Sequence, residues 1–301
     1  MTRHLLEITD LTAAEVRSVL DLAALPPADL GRPLDGQGVA LIFEKPSART
    51  RQSMEIAVVQ LGGHPVYTQG TEIGIDVREP VEDITRIFQG YHALIAARVF
   101  AHELLERMVS VAEVPIVNML SDRAHPLQAF ADALTMAQRL GPLAGRTVAW
   151  VGDYNNVARS LGEICSLLGA HLRYACPVGY DPEEAEVERL TTLGAASVVA
   201  VHRPEEAVTD ADAVHADTWV SMGQEADKAA RKQAFEGFTV DSRLMELAAP
   251  HAVFMHCMPA YRGLEVTADV MDGPQSAVIA QGHNRLPAAR AVLAFLLAAD
   301  P

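Results

Sequence analysis

The sequence predicts an α/β protein built as two doubly wound parallel-sheet domains with an interdomain cleft. Three observations lead there. Short apolar runs alternate with amphipathic stretches almost to the end of the chain, the pattern of parallel strands joined by crossover helices. The 301 residues exceed one average domain. One stretch, GPLAGR (141–146), reads as a connector, since two glycines and a proline punctuate two periodic regions.

An amphipathic helix over about 11–24 opens the chain. Strands are expected at GVALIF (38–43), PVYT (65–68), ALIAA (93–97) and PIVNM (115–119), with helices at 48–61, 81–90, 102–112 and 126–140. After the connector, a second series of strands runs through TVAWVG (147–152), HLRYAC (171–176), ASVVA (196–200), AVHAD (213–217) and AVFMH (252–256), again with helices between. An apolar-rich helix over 284–299 closes the chain and is expected to return to the first domain. The expected division is therefore 1–138 plus 284–301 for one domain and 139–283 for the other, with the cleft as the default ligand site.

A net charge of −15 and a pI near 5.1 argue against nucleic acid or an anionic membrane as partner, because attraction to phosphate polymers needs a basic footprint. No apolar run approaches the roughly 20 residues that span a bilayer, and MTRHLLEITDLT lacks the long apolar core of a secretory leader. A cytoplasmic location is expected. Cys165, Cys176 and Cys257 show no metal spacing, and their odd number makes no disulfide framework. His102 and Glu103 sit in HELLE, which lacks the second histidine of HExxH, so no metal is expected. Neither a P-loop nor GxGxxG occurs, and no nucleotide cofactor is expected.

The chemistry-bearing residues gather where strands end. In SARTR, Ser47 occupies an N-cap position after GVALIF, with Arg49, Thr50 and Arg51 beside a helix start whose free N–H groups favour an anion. The alternative is a solvated basic helix end. His125 and Gln128 lie three apart at a helix start, so both can point at one ligand, and Arg98 closes ALIAAR. In the second series GDYNN, DTWVSMGQE and HCMPAYRG each follow a strand. Their carboxylate, amide, hydroxyl and thiol groups suit an amino-acid zwitterion, Asp217 toward an ammonium and Asn156 and Ser221 toward a carboxylate. Read singly, each is equally an ordinary capping or turn residue.

Taken in order, SARTR, HPLQ, DTWVSMG and HCMP resemble the aspartate/ornithine carbamoyltransferase superfamily, and the SMG loop resembles its ornithine branch. The resemblance covers nearly the whole chain. It implies an N-terminal carbamoyl-phosphate domain, a C-terminal amino-acid domain, no cofactor, and assembly as a homotrimer or a multiple of trimers with sites at subunit boundaries. It implies that Ser47, Ala48, Arg49, Thr50 and Arg98 hold the phosphate, and that His125 and Gln128 grip the carbamoyl group. It further implies that Asn156, Asp217, Ser221 and Met222 bind ornithine, with Cys257, Met258 and Arg285 near the reacting δ-amine. The residues expected to act in catalysis are then Arg49, Arg98, His125, Asp217, Cys257 and Arg285, and the loop carrying Gly223 closes over the ligand.

Several positions depart from the family pattern. Ala48 replaces a threonine, removing one hydroxyl from the anion cradle. In TEIGIDVREP (71–80) Gly74 stands at a usual glutamine, leaving Arg78 as the basic group able to reach a neighbouring subunit. Leu127, Tyr261 and His283 replace a cysteine, a histidine and a glutamate. Such a set is compatible with an ornithine enzyme, with a paralogue acting on lysine, putrescine or another amine, or with a weakly catalytic ligand-binding paralogue.

Overall fold

In the computed structural model, which describes residues 2–220 and 227–298, the chain forms two units, one comprising Met1–Ala131 with His283–Pro301 and the other Asp132–Gly282. The chain passes from one to the other inside a helix on both occasions.

The first unit opens with α1 (Ala13–Ala24), started by a capping box in which Thr12 Oγ1 accepts from Glu15 N–H at 3.3 Å and Glu15 Oε2 accepts from Thr12 N–H at 2.8 Å. Its sheet contains β1 (Gly38–Phe43), β2 (His64–Gln69), β3 (His92–Arg98) and β4 (Ile116–Leu120). The helices are α2 (Ala48–Gln60), the short α3 (Gly70–Ile73), α4 (Val81–Phe88), α5 (His102–Val109) and the first part of α6 (Pro126–Leu140). The strands are all parallel in the order β2-β1-β3-β4. Strand β1 lies in the middle and is apolar along its length, since parallel strands are covered on both faces. Edge strand β2 carries the half-exposed HPVYTQ instead.

The second unit holds β5 (Thr147–Val151), β6 (His171–Ala175), β7 (Ser197–Val201), β8 (Ala213–Ala216) and β9 (Val253–His256), all parallel in the order β7-β6-β5-β8-β9. Its helices are α7 (Asn156–Leu167), α8 (Glu184–Leu193), α9 (Pro204–Val208), α10 (Lys228–Ala234), α11 (Ser242–Met245) and α12 (Ala268–Met271). Helix α7 lies close against β6: a Cβ on Gly162 would sit 2.2 Å from the Tyr174 hydroxyl, so any larger residue there has to displace the buried tyrosine.

The expected α/β class with two parallel sheets is what the chain adopts. Most boundaries shift by no more than three residues, as at α5, which ends at Val109 rather than at 112, and one shifts further. The closing helix, α13, spans Val278–Leu297 and so begins six residues before the expected 284. Gly282, Asn284 and Pro287 are poor helix formers, which obscures its first turns in the sequence. Gln281 offsets them by burial: its amide donates to Asp132 Oδ1 at 2.6 Å and accepts from His256 N–H at 2.8 Å. No described helix is long and apolar enough to cross a membrane.

Candidate functional site

Sheet order locates both clusters of polar residues. In an open parallel sheet, connections running to opposite sides of one strand leave a crevice at its carboxyl end. In the first unit that point lies between β1 and β3. In the second it lies between β5 and β8.

At the first switch point Ser47 caps α2, accepting from Thr50 N–H at 3.3 Å and donating to Thr50 Oγ1 at 3.0 Å. Thr50 is buried, while Ala48 and Arg49 are exposed on the first turn. Among the described residues Arg49 has no hydrogen bond or ion pair, so its cation is open to a ligand. Arg51 is engaged locally instead, donating to Glu55 at 2.7 Å and lying 3.6 Å over the Tyr67 ring. Arg98 closes β3 level with Phe43 of β1. Arg285, from α13, donates to Thr50 Oγ1 at 2.7 Å and to Gln128 Oε1, spending two donors on neutral oxygens.

His125 precedes α6, and its carbonyl accepts from the Gln128 and Ala129 N–H groups at 3.0 and 3.2 Å. It is buried, and burial together with the Arg285 and Arg98 cations holds its pKa well below the usual 6.5. The imidazole is therefore neutral at pH 7. A buried network sets the turn that presents it: Asn118 donates to the Leu6 carbonyl at 2.9 Å and to Ser121 Oγ at 3.1 Å, and His102 Nδ1 lies 2.7 Å from Ser121 Oγ. Sequence spacing gives no sign of this support, because its members come from the N-terminal arm, β4 and α5.

At the second switch point Asn155 caps α7, its Oδ1 accepting from the Val157 and Ala158 N–H groups at 2.9 and 3.1 Å. Its Nδ2 donates to Asp217 Oδ2 at 2.8 Å. Asp217 follows β8 and accepts also from Thr218 N–H at 2.8 Å and from Cys257 Sγ at 3.0 Å. It is only 6% exposed, and among the described residues no cationic side chain pairs with it. A buried carboxylate with hydrogen bonds and no counter-cation is costly unless a cation arrives. Asn156 lies half-buried in the first turn of α7, beside this group in sequence. Ser221, Met222 and Gly223 lie outside the described residues.

Cys257 and Met258 leave β9 over a buried support. His256 Nδ1 accepts from Met258 N–H at 2.9 Å, so its proton is on Nε2, 3.3 Å from Glu265 Oε1. Donor atoms of Asp217, His256 and Cys257 lie within 4.8 Å of one another, a cluster that linear spacing does not reveal. His256 Nδ1 is taken up by Met258 N–H, and Asp217 by Asn155, Thr218 and Cys257, so the three already make hydrogen bonds to protein groups.

Asn155 is the contact that the sequence does not announce. Its only linear sign is a doubled asparagine, and it is the first of the pair whose side chain donates to Asp217. Of the departures from the family pattern, Gly74 has a structural reason: it ends α3 with a left-handed φ of 70°, and a Cβ there would lie 3.0 Å from the Arg78 stem. Leu127 is buried, and Tyr261 is exposed.

Residues 3–138 match the model of the aspartate/ornithine carbamoyltransferase carbamoyl-P binding domain, and residues 144–296 match that of its Asp/Orn binding domain. The chain belongs to the aspartate/ornithine carbamoyltransferase family. Among family members similar to it, the ornithine carbamoyltransferase of Thermus thermophilus is 46% identical over 299 residues, covering 99% of this chain and 97% of that one. That of Acidothermus cellulolyticus is 47% identical over 303 residues, covering 99% and 97%. The crystal structure of ornithine carbamoyltransferase from Thermus thermophilus superimposes with a TM-score of 0.90 at 43% identity, covering 99% of this chain and 100% of that one.

Proposed function

We propose that this carbamoyltransferase moves the carbamoyl group of carbamoyl phosphate to the δ-amine of L-ornithine, giving citrulline and phosphate. The observation that carries the reading is the pairing of chemistries at the two switch points. One gathers Arg98, Arg285, neutral His125, Thr50 and Gln128 beside an exposed Arg49. The other holds a buried carboxylate without a counter-cation among the described residues.

In this reading residues 1–138 plus 284–301 form the carbamoyl-phosphate domain and 139–283 the amino-acid domain. Ser47, Arg49, Thr50, Arg98 and the first-turn N–H groups hold the phosphate, with no hydroxyl contribution from Ala48. His125 and Gln128 orient the carbamoyl group. The neutral δ-amine attacks the carbamoyl carbon, forming a C–N bond as the C–O bond to phosphate breaks. Negative charge that develops on the carbonyl oxygen meets preorganised donors, and a neutral His125 donates there without being consumed as an acid. The amine's proton leaves with the phosphate, which departs among cations. Asp217 receives an ornithine ammonium, Asn156 with Ser221 and Met222 binds the amino-acid end, and Cys257, Met258 and Arg285 border the reacting amine. Ornithine's side-chain amine has a pKa near that of lysine, about 10.4, so the site must favour its neutral form. Holding both reactants in register supplies much of the acceleration. Assembly as a homotrimer, a cytoplasmic location and a place in arginine metabolism complete the proposal.

Purified protein given carbamoyl phosphate and L-ornithine is expected to release citrulline and phosphate in equal amounts. Turnover with lysine or putrescine but none with ornithine would refute the acceptor. Carbamoyl-phosphate binding with no turnover on any amine would favour a ligand-binding paralogue.

A further inference from the structure

Two carboxylates lie close together at the second switch point, and only one has a cation. Asp153, in GDYNN, pairs with Arg231 of α10, whereas Asp217 has no cationic partner among the described residues. Arg231 is buried, its guanidinium 4.8 Å from the Tyr180 ring centroid and 5.4 Å from that of Phe235. Its Nε donates to the Trp219 carbonyl at 2.5 Å, while Nη2 donates to Asp153 Oδ2.

These two contacts reach both backbone segments that carry Asp217 and its donor. Trp219 lies two residues after Asp217. Asp153 lies two before Asn155, the donor to Asp217 Oδ2, and its carbonyl accepts from Asn155 N–H at 2.9 Å. The Tyr180 ring under the guanidinium belongs to the same assembly, since its carbonyl accepts from Tyr154 N–H at 2.9 Å.

We propose that Arg231 is a positioning residue for the amino-acid substrate: by neutralising Asp153 and fixing the Trp219 carbonyl, it leaves Asp217 as the carboxylate available to an ammonium. This rests on the ornithine reading of the second unit. Without Arg231 the buried Asp217 and the half-buried Asp153 repel, and Asp153 takes up a proton or competes for the incoming ammonium. Burial and the Asp217 charge already push the Asp153 pKa upward despite Arg231, which shows the direction of that repulsion. A guanidinium suits the task because it donates in two fixed directions and stacks on aromatic rings, which a lysine ammonium does not.

The test uses the full-length enzyme and four variants: Arg231→Gln, Arg231→Lys, Asp153→Asn and the double variant Arg231→Gln/Asp153→Asn. Arg231→Gln is expected to raise the KM for ornithine by at least about tenfold, the scale of a charge-assisted contact, and to leave the KM for carbamoyl phosphate within about twofold. Arg231→Lys should fall between it and the wild type. Asp153→Asn strands the Arg231 cation beside Asp217 and should also raise the ornithine KM. The double variant, with neither charge, should have a lower ornithine KM than either charge-removing single variant. An unchanged ornithine KM in Arg231→Gln would overturn the proposal, and so would a double variant no better than the worse single one. If Arg231→Gln does not fold, Arg231→Lys and Asp153→Asn decide the question through the same KM ratios. Wild-type citrulline formation, measured alongside, reports separately on the ornithine reading; if another amine proves to be the acceptor, the ratios are read with that amine.

Discussion

Replacing Asn155 by serine separates two jobs that one side chain performs. Its Oδ1 caps α7 and its Nδ2 donates to Asp217 at 2.8 Å. Serine is about as good an N-cap as asparagine, so the change of cap itself should alter helix stability by no more than about 0.5 kcal/mol. It is too short, however, to reach Asp217 while capping. The bond lost is to a carboxylate that is 6% exposed, and hydrogen bonds to charged groups contribute about 1.5–3 kcal/mol. At about 1.4 kcal/mol per factor of ten, full expression in substrate binding would raise the ornithine KM on the order of 10- to 100-fold. Thr218 N–H and Cys257 Sγ remain as donors to Asp217, so the lower figure is expected. Steady-state kinetics with each substrate varied in turn, beside thermal unfolding, give both quantities. Alanine in place of serine should add a cap penalty of about 0.5–2 kcal/mol to the same kinetic loss. An Asn155→Ser enzyme with unchanged stability and unchanged ornithine KM would refute the idea that Asn155 sets Asp217 for its ligand.

Two further outcomes follow from the first unit. Ala48→Thr restores a hydroxyl on the exposed first turn of α2, and carbamoyl phosphate should bind roughly 2- to 10-fold more tightly, the scale of one added hydrogen bond, as measured by calorimetry; no gain would mean that this turn does not meet the phosphate. His4, His92, His102 and His125 are all held below the usual 6.5 by burial, so the folded chain binds fewer protons than the unfolded one at mildly acid pH. Their contribution to stability is complete above pH 6.5 and is lost as the pH falls toward their lowered values, so melting temperatures taken from pH 7.5 to 5 should decline below about 6.5.

The sheets were legible because their central strands are buried on both faces. GVALIF and TVAWVG are continuous apolar runs bounded by punctuating residues, and no helical period competes with them. The start of α13 was not legible, since the gain from burying Gln281 against Asp132 and His256 comes from residues far away in the chain. At the candidate site, the sequence marks residue types that end strands, and the structure brings Thr50, Gln128 and Arg285 together by hydrogen bonds, and likewise Asp217 and Cys257. Supports such as Asn155, Arg231 and the Asn118–Ser121–His102 set escape a linear reading for a common reason. Each is an ordinary polar residue whose meaning lies in a partner from another element. Asn155 meets Asp217 across 62 positions, and Arg231 meets Asp153 across 78.

Arg285 joins Thr50 and Gln128 across 235 and 157 positions of chain, and this separation fixes an order in time. A ribosome finishes β1 through β4 long before it reaches the closing helix. Throughout synthesis of the second unit, the earlier-made sheet waits without the guanidinium that ties the first turns of α2 and α6 together. That cluster therefore forms only once residue 285 has left the exit tunnel, and a nascent chain released early would carry every strand of the first unit yet lack this link.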